Sequence, residues 1–69
     1  MIRNIIIEGL KSNFQGLIDK HIANVNVFLN SPVGVAEHAD VLETIEKELT
    51  IVAEYQDKLE VLNKYFKKD

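Results

Sequence analysis

Apolar residues recur at steps of three and four along almost the whole chain, and the pattern is interrupted once. In the first part they fall at Ile2, Ile6, Leu10, Phe14, Leu17, Ile18, Ile22, Val25, Phe28 and Leu29. In the second part they fall at Val41, Leu42, Ile45, Leu49, Val52, Ala53, Tyr55, Leu59, Leu62 and Phe66. This is the helical period. A chain that carries it twice, with one break between, is restricted to two helices and a bend.

The break holds the only proline, Pro32. Proline lacks the amide hydrogen that would continue the first helix, and Ser31 before it is pushed out of helical geometry. Gly34 can adopt positive φ without steric cost, and Val33 and Val35 are placed to close the end of the core. Two starts are open for the second helix. Asp40-Val41-Leu42-Glu43 has capping-box spacing, while His38 as the cap would let Ala39 open the helix. Further on, Glu43–Lys47, Glu54–Lys58 and Glu60–Lys64 are acid-to-base pairs at i,i+4 in the favourable order. Acids early in this helix and Lys64, Lys67 and Lys68 late in it complement the helix dipole.

The expected fold is all-α: an antiparallel hairpin with one helix over about residues 2–30, a turn over 31–37 and a second helix over 38–66. At 69 residues this is a single domain. With no cysteine, disulfides and thiolate metal sites are excluded. A chain this short buries a modest fraction of its surface alone, which leaves burial against a partner as the common remaining route to stability. Ile5, Ile6 and Ile7 cover too wide an arc for one partner helix, and Tyr55 and Val61 spill beside the main stripe. Dimerisation into a four-helix bundle answers both. The expected interface residues are Ile5, Ile6, Leu10, Phe14, Leu17, Leu49, Val52, Tyr55, Leu59, Leu62 and Phe66. Gly9 and Gly16 share one face, where they allow a close helix approach or simply sit on the surface. Gln56 and Asn63 stand where a seven-residue register from Leu42 and Leu49 expects apolar residues. A period nearer 3.6 turns them to water.

Little in the chain points to catalysis. The three glycines are isolated, so no phosphate loop forms, and Ser12 and Ser31 show no adjacent base. His21 lies near the edge of the first stripe and reads as a rim or partly buried histidine. Glu37, His38 and Asp40 are close in sequence, but metal-binding helices space their ligands three or four apart. Acids favouring the first helical turn are the better explanation. Glu43, Glu46, Glu48, Glu54 and Glu60 mostly fall on the polar face. No enzyme, cofactor or metal site is expected. Lys64-Tyr65-Phe66-Lys67-Lys68 interleaves bases with aromatics as single-strand binders do, yet a net charge of −3 gives no broad basic footprint. Nucleic-acid binding is therefore disfavoured. Membrane insertion is disfavoured too, since no apolar run approaches the roughly 18 residues of a span. Without a secretory signal pattern, a cytoplasmic location is expected.

Pro32-Val33-Gly34-Val35-Ala36-Glu37-His38-Ala39-Asp40-Val41, then Glu43-Thr44-Ile45-Glu46, and later Asp57-Lys58-Leu59-Glu60-Val61-Leu62-Asn63-Lys64-Tyr65-Phe66, together resemble small proteins encoded by large tailed phages of marine bacteria, cyanophages included. The resemblance spans roughly the second half of the chain. Where those proteins place a proline after the loop histidine this chain has Ala39, and that proline would favour His38 as the cap. The resemblance brings no activity, cofactor or site with it. It implies a phage accessory protein acting in a bacterial cytoplasm. The functional expectation is a non-enzymatic, homodimeric interaction protein. The alternative is a regulator that binds a protein or nucleic acid through the acidic second helix or the Lys-rich end.

Overall fold

The computed structural model describes residues 2–30 and 38–69 and, of His38 and Ala39, the backbone only. The expected turn at 31–37, with Pro32, Gly34 and the two valines, lies outside the described residues.

Helix α1 runs over Ile2–Leu29 and helix α2 over His38–Tyr65, each of 28 residues. They pack against each other as an all-α hairpin. The body measures 52 × 15 × 12 Å, with a radius of gyration of 15.7 Å. A compact domain of this length has a radius of about 11 Å, so the hairpin is a rod with a thin core. At the end of α1 the Asn30 amide bonds to the Asn26 carbonyl at 3.1 Å, and the Asn30 side-chain amide bonds to the same oxygen at 2.7 Å. Those bonds satisfy a carbonyl the helix end would leave open. Helix α2 starts at His38, which puts Asp40 inside its first turn rather than at the cap, where a carboxylate suits the helix dipole. Because α2 ends at Tyr65, Lys67 and Lys68 lie beyond its last turn.

Across the hairpin, Phe14 stacks on Tyr55 with ring centroids 5.8 Å apart, and His21 bonds to Glu48. Both contacts are seven residues apart on each helix, so the register repeats by heptads. The same step leads to Ile7 and Leu62, which are only 5% and 8% exposed. The seam therefore follows Ile7, Phe14, Ile18, His21, Val25 and Phe28 on α1, and Val41, Ile45, Glu48, Val52, Tyr55, Leu59 and Leu62 on α2, all buried or half-buried.

Three expectations are corrected here. The α1 stripe is rotated, so that Ile7 faces the partner helix while Ile2, Ile6, Leu10, Ile22 and Leu29 are exposed. The heptad spacing of the cross-helix contacts holds the seam at 3.5 residues, and a stripe drawn at 3.6 slides off it. Tyr55 sits in the seam against Phe14 rather than beside the stripe. Glu48 points inward, with its side chain 16% exposed, rather than lying on the polar face. Gln56 and Asn63 do face water, not because the period is 3.6 but because the heptad seam runs through Tyr55 and Leu62 rather than through Leu42 and Leu49, which are exposed. Of the three i,i+4 pairs, Glu43–Lys47 closes at 3.7 Å and Glu54–Lys58 at 3.3 Å, while Lys64 lies over the Tyr65 ring at 5.3 Å.

Candidate functional site

Among the described residues only Ile7, Ile18 and Leu62 are buried apolar side chains. The rotation of the α1 stripe leaves the rest of its isoleucines outside the hairpin. Ile5 is 69% exposed and Ile6 55% exposed. On one flank Ile2, Ile6 and Leu10 of α1 meet Leu62 and Phe66 to form a groove that is almost wholly apolar, with Arg3 at its edge. It continues toward mid-helix through Phe14, Lys58 and Val61. On the other flank Leu49, Val52 and Ala53 lie in a shallower depression edged by Gln56, Asp57 and Glu60.

The expected interface residues therefore divide. Phe14, Val52, Tyr55, Leu59 and Leu62 hold the hairpin's own seam together, with Leu17 half-buried near it. Ile6, Leu10 and Phe66 converge on the apolar groove. Leu49 is on the opposite flank, and Ile5 is apart from both, beside Asn4, Glu8, Lys68 and Asp69.

That last neighbourhood is polar. Arg3 donates to the Lys67 carbonyl at 2.6 Å and pairs with Asp69 at 3.4 Å. The Asp69 amide donates to Asn4 Oδ1 at 3.0 Å. Lys68 pairs with Glu8 at 2.7 Å, and this bond together with the Lys68 charge holds the Glu8 carboxyl below its ordinary value. The Lys-rich end is thus fastened to the start of α1 rather than simply solvated.

A second polar group lies within the seam. His21 Nδ1 donates to Glu48 Oε2, and Asn24 donates to Glu48 Oε1 at 3.0 Å. The His21 and Glu48 side chains are 14% and 16% exposed. The His21 hydrogen bond is the main cause holding the Glu48 carboxyl below its ordinary value; partial burial opposes it, and the Asn24 bond assists. Among the described residues no buried side-chain nitrogen or oxygen lacks a partner. The trio satisfies itself and offers no free group for chemistry. A polar pair at seam positions is suited to fixing register. Its sequence signal is the step from Ile45 to Val52, which keeps the heptad only if Glu48 is accepted as an inward residue. Asp40 is exposed, whereas Glu37 and the His38 side chain lie outside the described residues, so that cluster is not placed. Among the described residues no three His, Cys, Asp or Glu side chains are grouped so as to hold a metal ion.

The geometry defines an all-α helical hairpin with one apolar flank. Comparison with protein-family models, with curated proteins and with solved structures gave no match. No helix among the described residues is long and apolar enough to cross a membrane.

Proposed function

We propose that this chain is a non-enzymatic interaction protein that works as a homodimer, two hairpins pairing into a four-helix bundle. The observation that carries the reading is the groove of Ile2, Ile6, Leu10, Leu62 and Phe66, an apolar flank left outside the hairpin's own seam. A continuous apolar patch rimmed by polar residues marks an interaction surface. Two helices cannot cover it, and a second pair can. In the setting the phage resemblance implies, the role is that of an accessory protein in the bacterial cytoplasm.

A second reading is favoured by a separate observation. Glu43, Glu46, Glu54, Asp57 and Glu60 are all exposed on α2, and such a face suits a basic partner. The Lys-rich end supports this reading less, because Lys68 is engaged by Glu8.

Sedimentation equilibrium at micromolar concentration tests the first reading. The expected mass is twice the 7.9 kDa of one chain. A well-folded, helical species at the single-chain mass would remove the homodimer. Retention of a basic protein by the immobilised chain, abolished by charge reversal at Glu54 and Glu60, is the outcome the second reading expects.

A further inference from the structure

We infer that the groove of Ile2, Ile6, Leu10, Leu62 and Phe66 receives the same groove of a second copy, with the two hairpins aligned so that their terminal ends lie together and α1 of each protomer runs beside α2 of the other. The inference rests on the homodimer reading above and adds to it the face and the orientation.

Area permits a second copy as the occupant. The single chain exposes 5232 Å². A folded monomer of its mass exposes about 4,400 Å², so the excess is about 800 Å². One partner in a standard protein interface gives up roughly that area, about 800 Å².

The placement of polar residues argues for the orientation. The cross-helix contacts repeat by seven on each helix, so residues fourteen apart share a face. Fourteen residues from Ile6 stands Lys20 and fourteen from Leu10 stands Asn24; on α2, fourteen before Val61 stands Lys47 and fourteen before Lys58 stands Thr44. Leu17 and Val27 are the apolar exceptions on α1 and Ile51 on α2. The flank is thus apolar at its terminal end and mainly polar at the other. Copies stacked head to tail would set Ile2 and Ile6 at the level of Asn24, and Leu62 and Phe66 at the level of Thr44. Aligned copies set apolar against apolar.

Charge points the same way. Helix α1 carries three bases and two acids, while α2 carries seven acids and three bases. Head-to-tail stacking lays α2 on α2 and brings like charge together. A two-fold axis parallel to the helices lays α1 beside α2, which lowers that repulsion.

The chain has no cysteine, so Val27→Cys introduces a unique spin-label site on an exposed position far from the groove. In an aligned bundle the two labels sit across its diagonal, about 20–30 Å apart for helices packed at ordinary distances. Head-to-tail stacking separates them by about 35 Å or more along the axis. In parallel, Ile6→Glu is expected to raise the dimer Kd at least about 100-fold. Leu49→Glu, on the opposite flank, should leave it unchanged. Because Ile6 is exposed in the hairpin, circular dichroism of Ile6→Glu should retain its helical signal. A dimer with the longer label distance overturns the alignment and spares the homodimer. A dimer sensitive to Leu49→Glu but not to Ile6→Glu overturns the face. A monomeric parent chain overturns the homodimer reading itself.

Discussion

Two stretches of the hairpin seam are built from different chemistry. Toward the terminal end it is closed by Ile7, Leu62, Phe14 and Tyr55, which are held by removal of apolar surface from water. Two turns further on, the same register is filled by His21, Glu48 and Asn24, held by directed hydrogen bonds. Burial is indifferent to partner and angle, whereas hydrogen bonds require particular atoms. The apolar layers on either side therefore supply most of the adhesion, and the polar layer selects which residues adhere. Slipping α2 by one helical turn would still give Phe14 an apolar neighbour but would strand Glu48.

The largest effects should come from the apolar layers. Ile7→Ala and Leu62→Ala are each expected to cost about 2–4 kcal/mol, read by urea denaturation at one fixed protein concentration, since self-association adds to apparent stability. A loss no greater than that of an exposed substitution such as Val27→Ala would break the contrast between the apolar and polar layers.

Next in size is Glu48→Ala, which leaves His21 and Asn24 without their acceptor. Its melting temperature should fall less than that of Leu62→Ala and more than that of Glu46→Ala. Replacing both partners, His21→Leu with Glu48→Leu, is expected to restore or raise the melting temperature, because a half-buried polar pair is often no better than packed apolar groups. The double variant should also show broader cross-helix distances in spin-label measurements, which is the sharper sign that the pair selects register.

The same pair sets a pH dependence. Both Glu48 and Glu8 are held below the ordinary carboxylate value when folded, through His21 and Lys68 respectively. Such a group contributes stability that is present in full above the ordinary carboxylate range and is lost as pH falls through its lowered folded value. Acid titration should therefore weaken the hairpin over that window. Glu48→Gln should flatten part of the slope, and a chain whose acid limb is unchanged by both Glu48→Gln and Glu8→Gln would contradict the assignment.

The smallest expected change is a gain. A Cβ at Gly9 or Gly16 meets nothing within 4 Å. Each alanine substitution should therefore stabilise the helix by about 0.5–1 kcal/mol. A destabilising Gly9→Ala in the dimer, together with a stabilising one in the dissociated Ile6→Glu background, would place Gly9 at the interface.

The two helices and two of the three i,i+4 pairs followed from local rules, because periodicity and charge spacing act within a few residues. The phase of the seam did not. Ile5, Ile6 and Ile7 are equivalent to any local rule, and only the cross-helix register set by Phe14–Tyr55 and His21–Glu48 decides that Ile7 turns inward. Glu48 was hidden for a related reason: an acid among acids reads as solvated until its partner on the other helix is known. The apolar flank was visible as surplus hydrophobicity, but its location depends on that same phase.

The heptad step between the cross-helix contacts carries one more consequence. Because both strands of the hairpin repeat by seven, its length is separable from its register. Removing residues 8–14 together with 55–61 would shorten the rod by about 10 Å and delete the Phe14–Tyr55 layer from both helices, leaving Ile7 opposite Leu62. It would leave His21 opposite Glu48 as before. The fold thus behaves as a stack of interchangeable layers, in which reach can be lengthened or trimmed in units while the pairing rule is kept.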